Sequence, residues 1–332
     1  MMARMFRKPD GAERSRAWGV LLLFILVFGA VICHLVSSYT HYVRVQTVFM
    51  AWDRLVPVET DSRKSQIAAN TAALQLLIDE GQNLGGIELK GLTFSTVRMR
   101  GLNLDNTIAT DIGIHALLLD RCSLDSSKFT RVRWTRAAIS NSTFANIEAL
   151  RLVLDESTIL GSSFTGASLT ASSIAWARLD AADFSDTLVD DLSFYESSGL
   201  RCVFDRMSGD DVQFLKATMP YAKFRNVNLA NARFEDSDLT GVDFSGAKLF
   251  KVDFSRSKLA RSIFVKAELE NCQFDKSDLR GAKFDGAIVA SVSFDAADLR
   301  GLNGEKTSFV GVKGLLPSSF KSALTNGDTH IK

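Results

Sequence analysis

Two aspartate pairs, Asp190–Asp191 and Asp210–Asp211, lie twenty residues apart in a chain of 332 residues. If a repeat stacks one pair on the other, like charges face each other, and four carboxylates invite a hard cation such as Ca²⁺. The plainer reading is a solvated acidic corner. A basic cluster runs through Lys128, Arg131, Arg133 and Arg136, with Arg151 twenty residues beyond Arg131. It suits an acidic partner or lipid headgroups, or is simply a wet corner.

The remaining reactive residues are dispersed. Cys33, Cys122, Cys202 and Cys272 lack metal-like spacing, and so do His34, His41, His115 and His330. There is no nucleophile beside a base, no glycine-rich phosphate loop and no paired metal motif. A non-enzyme without a cofactor is expected, and a net charge of +1 argues against nucleic acid as a partner.

What must position these residues is a five-residue rhythm. From Leu89 to Phe309, forty of the 45 positions numbered in 4 or 9 are Leu, Ile, Val, Met, Phe or Trp. The exceptions are Ala109, Ala149, Gly199, Gly209 and Gly304. Two residues earlier in each quintet the side chain is never charged, and 35 of 45 are Ala, Ser, Thr, Cys or Val. Residues two apart in an extended segment face the same way, so a small and a large side chain point inward and the residue between them points out. The last two residues turn a corner.

Phenylalanine fixes the number of sides. It recurs every twenty residues from Phe144 to Phe284 and again from Phe194 to Phe294, with Leu229, Leu239 and Leu249 typical of the positions between. Four sides per coil put Phe224, Phe244 and Phe264 on one face, Phe234 and Phe254 on the opposite face, and leucine on the other two. Three sides would mix them. The expected fold is an all-β solenoid, a quadrilateral β-helix of about 11 coils and roughly 50 Å at about 4.8 Å per layer. Cys122 and Cys202 then lie about 19 Å apart, too far for a disulfide, and read with Cys272 as small core residues. Trp134 is core. Trp176 sits at a corner and, with Leu160, Leu200 and Phe250, offers outward apolar surface. Gly199 and Gly209 remove core side chains near the aspartates, a gap for Met207 and Met219 to fill.

The segments "SDLRGAKFDGA" (277 to 287), "SDLTGVDFSGAKL" (237 to 249) and "AADLRG" (296 to 301) resemble the pentapeptide-repeat family. The resemblance covers about two thirds of the chain and implies a right-handed quadrilateral β-helix. Residues 105 to 220 depart from its consensus, with fewer Asp or Asn before the central residue, so their corners are expected to be less regular. One branch of the family mimics DNA and inhibits topoisomerases. That alternative is disfavoured by a net charge of only −2 over residues 81 to 320.

Ahead of the array, Ala17 to Thr40 holds no charged residue, long enough as a helix to cross roughly 30 Å of hydrocarbon. Arg4, Arg7, Lys8, Arg14 and Arg16 precede it, which puts a basic tail (1–16) in the cytoplasm and the rest outside. The competing readings are a cleaved signal peptide ending near "VSS" (36 to 38) and a buried helix of a soluble protein. Residues 41–86 are expected to form a stem helix stopping near Pro57 and a capping helix with Asp61 or Ser62 at its start, Ile67, Leu74, Leu77 and Ile78 on one face and Gly81 at its end. The array occupies 87–310. The tail, 311–332, is expected to cover the last coil with a helix near Pro317–Leu324, or to pair two rods end to end as a homodimer. The expectation for function is a rigid scaffold tethered to the bacterial inner membrane by residues 17–40, its repeat domain periplasmic and its protein partner unnamed.

Overall fold

The computed structural model describes residues 11–55, 63–315 and 330–331, with side chains of 11–29, 31, 54, 330 and 331 excluded. It divides into two units, 1–53 and 54–332.

The described residues of the first unit lie in one helix, α1 (Gly11–Arg54). The expected span and the stem are therefore one continuous element. Among the described residues no helix is long and apolar enough to cross a membrane. Most side chains of the expected span at 17–40 lie outside those residues. Of the span's described side chains, Ile32, Leu35, Val36 and Tyr39 are exposed.

The second unit opens with α2 (Arg63–Asp79). Gly81, at φ 65°, ends it: its N–H reaches the Ile78 carbonyl and the Gln82 N–H reaches that of Leu77, a closure that a Cβ would hinder. The proposed caps Asp61 and Ser62 lie outside the described residues. The buried stripe is Asn70, Ala73, Leu74 and Leu77, while Ile67 and Ile78 are only half-buried, a rotation of the expected face.

The array forms a right-handed β-solenoid of about 11 coils. Each coil is twenty residues: Leu89 lies against Ala109, Phe94 against Ile114 and Met99 against Leu119, all parallel. Naming each face by its first inward residue, the Leu89 face is a sheet of thirteen short strands, and the Met99 and Phe94 faces carry four and three before continuing as single bridges. The two inward columns are dry apart from half-buried Ile87, Leu89, Met99, Leu102, Gly209 and Ala297, and the corner acids Asp205 and Glu235 are buried as well. Phe224, Phe234, Phe244, Phe254, Phe264 and Leu239 are fully buried, Leu229 and Leu249 nearly so.

Phenylalanines twenty residues apart stack, as Phe214 on Phe234 (4.8 Å between centroids, 2° between planes). Those ten apart meet edge to face across the interior, as Phe214 and Phe224 at 5.3 Å and 82°. Both are favoured arrangements of ring quadrupoles.

The corner geometry explains a third column. Two residues after each inward centre the chain takes positive φ, from Gly91 to Gly311, with Thr96 the sole position in this column that does not. A β-branched residue is a steric outlier in that conformation. Thr96 is also the one β-branched residue in the column.

Residues 105–220 were expected to turn less regularly, yet they keep the same corners. At some of these corners serine supplies the acceptor in place of Asp or Asn, while the corners after Lys128, Ala138 and Val153 form without a side-chain acceptor there. The Asp243 carboxylate accepts the Ser245 N–H (2.9 Å), and the Ser163 and Ser193 hydroxyls accept from Thr165 and Tyr195 (3.3 Å each). Either side chain supplies an acceptor to the turn.

The C-terminal helix proposed near 317–324 lies outside the described residues. His330–Ile331 instead forms a strand paired with Ser308 and Phe309, so the chain's own end takes the last edge of the Leu89 face.

Candidate functional site: outer ladders and the N-terminal edge

The repeat brings the aspartates into register, Asp190 directly beside Asp210. Their environment is not a cation cage. Asp210 Oδ1 accepts from Asn231 Nδ2 at 2.6 Å and from the Asp211 N–H at 3.1 Å. Among the described residues, no three His, Cys, Asp or Glu side chains converge as a metal site would require. The adjacent coil departs from the size rule as expected. Met207 and Met219 are fully buried, and a Cβ on Gly209 would stand 1.7 Å from the Val189 carbonyl oxygen. In that quintet the inward order is inverted, large Met207 preceding small Gly209. Gly199 is tightly enclosed too: a Cβ there would lie 2.3 Å from Cys202 Sγ, a side-chain atom, and 3.1 Å from Leu179 Cβ.

The basic cluster is largely compensated from neighbouring coils. Arg131 pairs with Asp111 (2.5 Å), Arg136 with Glu156 (2.8 Å) and Lys128 with Glu148 (2.9 Å). The Arg131 bond holds the Asp111 carboxyl below its usual range. Arg133 and Arg151 make no such pair among the described residues. The same twenty-residue pairing joins Arg206 to Asp186 and Arg256 to Asp236.

Cys122, Cys202 and Cys272 are buried. Their column explains their chemistry. Ser197 and Ser237 in the same column donate to the carbonyls of Ile174 and Phe214 one coil back, at 2.6 and 2.5 Å. Cys202 Sγ does the same to Leu179 O at 3.0 Å, and Cys272 Sγ to Leu249 O at 3.4 Å. Burial pushes both thiols up to about 12, which leaves them inert at neutral pH. Trp134 is buried, edge-on to Phe129 at 5.3 Å, and its Nε1 has no hydrogen-bond partner.

Trp176 is 54% exposed and in the left-handed corner column at φ 52°. Its ring meets Tyr195 edge-on at 5.7 Å, and the Tyr195 hydroxyl accepts from Lys216 Nζ at 3.0 Å. In that column only Trp176 and Tyr221 are aromatic. Leu200 and Phe250 are exposed and Leu160 half-buried.

The sequence reading missed the way α2 closes the first coil. Thr71 Oγ1 accepts the Ser95 N–H at 2.9 Å, and the Gln75 amide binds both the N–H and the carbonyl of Arg98. Thr71 and Gln75 lie four apart, one helical turn, which is the signal that would have found them.

The family model for pentapeptide repeats matches this chain in eight copies, over residues 153–186, 221–256 and 253–289. The matched segments span less than half of the chain. No curated protein sequence matches the chain. Among solved structures, full-length QnrB1, a plasmid-mediated fluoroquinolone resistance protein, is 17% identical with a TM-score of 0.36, covering 53% of this chain and 91% of its own. HetL, a pentapeptide-repeat protein involved in heterocyst differentiation regulation in the cyanobacterium Nostoc, is 16% identical with a TM-score of 0.27, covering 73% and 95%. Neither likeness carries an argument about function. Acids that follow the central residue tie successive coils together: Asp105 and Asp155 accept main-chain N–H groups of the next coil, from Asp125 (2.8 Å) and Ala175 (2.9 Å).

Proposed function

We propose that this protein is a non-catalytic binding rod, tethered to the bacterial inner membrane by residues 17–40 with its basic tail in the cytoplasm and its β-helix in the periplasm. The tether is supported by the uncharged run from Ala17 to Thr40 and by the exposure of Ile32, Leu35, Val36 and Tyr39 on α1.

The observation that carries the binding role is the thirteen-strand Leu89 face. Its outward side chains repeat at about 4.8 Å, and exposed Leu188, Phe250 and Ile288 stand among polar neighbours on a rigid sheet. Such a surface recognises a partner by register and shape, with little ordering of its own on binding.

The test is capture of partners from detergent-solubilised membranes by the full chain, compared with a Leu188→Lys/Ile288→Lys variant. Loss of a specific partner in the variant supports the role. Equal capture by both removes this face from it. Protease protection of the β-helix in sealed inverted vesicles tests the topology.

A further inference from the structure

A cleft of about 1030 Å³ opens between α2 and the outer side of the Met99 face in the first three coils. That volume is at the upper end of what small-ligand sites use. Its apolar part is Ala68 and Ala72 on the helix with Leu118 and Ala138 on the sheet, and Leu118 is 37% exposed.

The strand Arg98–Arg100 is the end strand of its sheet. Gly101 donates to Asp120 O (2.9 Å) and Leu118 donates to Val97 O (2.8 Å), so residues 97, 99 and 101 face the second coil. By the alternation of a parallel ladder, Arg98 and Arg100 turn their main-chain groups to the open end. Gln75 fills the place of a missing strand at Arg98; Arg100 has no such stand-in. An unpaired edge of this kind is a template for another chain.

The cleft lining carries two arginines, Arg98 and Arg100, and two aspartates, Asp79 and Asp120, of which Asp79 accepts from Gln75 Nε2 at 3.0 Å. Arg100 and Arg121 share one carboxylate, Asp120, at 3.1 and 3.2 Å, while the Arg98 guanidinium has no carboxylate partner among the described residues.

We propose that this cleft takes an acidic peptide in extended form, supplied by a partner protein, which pairs its main chain with Arg100 and sets a carboxylate against Arg98. The proposal rests on the binding role argued above and gives it a location. A strand edge calls for alternating main-chain donors and acceptors, which a peptide has and a lipid headgroup lacks. The alanines on α2 leave room for side chains above Leu118.

The experiment titrates the full-length protein in detergent with fluorescein-labelled (Glu-Val)₄ and reads anisotropy. (Lys-Val)₄ and fully N-methylated (Glu-Val)₄ serve as controls. Expected are binding of the acidic peptide, a loss of about tenfold or more with either control, and a similar loss in Arg98→Glu but not in Arg300→Glu at the far end of the same face. Thermal melts establish that both variants are folded. Equal affinity of the methylated peptide, or an unchanged affinity in Arg98→Glu, overturns the proposal. If (Glu-Val)₄ fails to bind while membrane extracts still yield a partner, the cleft is overturned and the binding role stands.

Discussion

Gln75 takes hold of Arg98 as a neighbouring strand would: its Oε1 accepts the Arg98 N–H at 3.2 Å and its Nε2 donates to the Arg98 carbonyl at 3.4 Å. A solenoid without a neighbour below its first coil exposes polar main chain and core together. Here Leu74 and Leu77 cover the core, and Thr71 and Gln75 satisfy the edge.

Replacing that amide should therefore loosen one end of the rod and leave the remainder intact. Gln75→Ala is expected to cost about 1–2 kcal/mol, because two hydrogen bonds are lost at a partly covered edge. Amide exchange should accelerate at Arg98 and Ser95 and stay unchanged at Phe244. Uniform acceleration along the chain would contradict a local cap.

The inverted size order at Met207 and Gly209 gives a sharper test of packing. Gly209→Leu alone should destabilise by more than about 3 kcal/mol, since even a Cβ meets the Val189 carbonyl. Met207→Ala alone should cost about 2–5 kcal/mol through a cavity. Because the Val189 main chain, and not Met207, meets that Cβ, the double variant Met207→Ala/Gly209→Leu should be no more stable than Gly209→Leu. Rescue by the double variant in denaturant melts would count against the main-chain clash.

The corner column makes a third demand. Ala181, exposed at φ 56°, should tolerate glycine with a change within about 1 kcal/mol, whereas Ala181→Val should cost about 1–2 kcal/mol from the left-handed backbone alone. Equal melting temperatures for the two variants would argue against that conformation.

Hydrogen bonds from arginines hold the carboxyls of Asp111, Asp186, Asp236, Asp278 and Asp298 below their ordinary values. A carboxylate whose folded pKa is depressed adds stability that is fully present above its unfolded pKa, about 4, and is lost as pH falls through the folded value. The melting temperature should hold from pH 7 to about 5 and drop below about 4. Because these pairs are exposed, 1 M NaCl should make that drop shallower. A loss of stability beginning near neutral pH would point to other groups.

The chain's repeat pattern made the four sides, the two phenylalanine faces and the dry columns legible, because burial acts on every quintet alike and the pattern repeats 45 times. Positions that act once were harder to see. The function of Gln75 depends on where α2 lies against the open coil, and the inward rotation that buries Asn70 and leaves Ile78 half-buried is set by that packing. The aspartates at 190–191 and 210–211 were correctly stacked from the period. Their side-chain bonds to Asn231 and the Asp211 N–H depend on local rotamers, which periodicity does not encode. The left-handed column was readable in principle. Its near-exclusion of Val, Ile and Thr is a backbone signal that hydrophobic periodicity overlooks.

Thermal melting of Asn228→Lys and Leu229→Lys tests most directly whether inward and outward columns divide as described. These adjacent residues stand on opposite sides of one strand, Asn228 exposed and Leu229 1% exposed. Asn228→Lys should melt within about 2 °C of the unaltered chain, and Leu229→Lys should lose its cooperative transition, because a lysine there has no water and no partner. Equal melting of the two variants would contradict the division on which the fold and every outward surface depend.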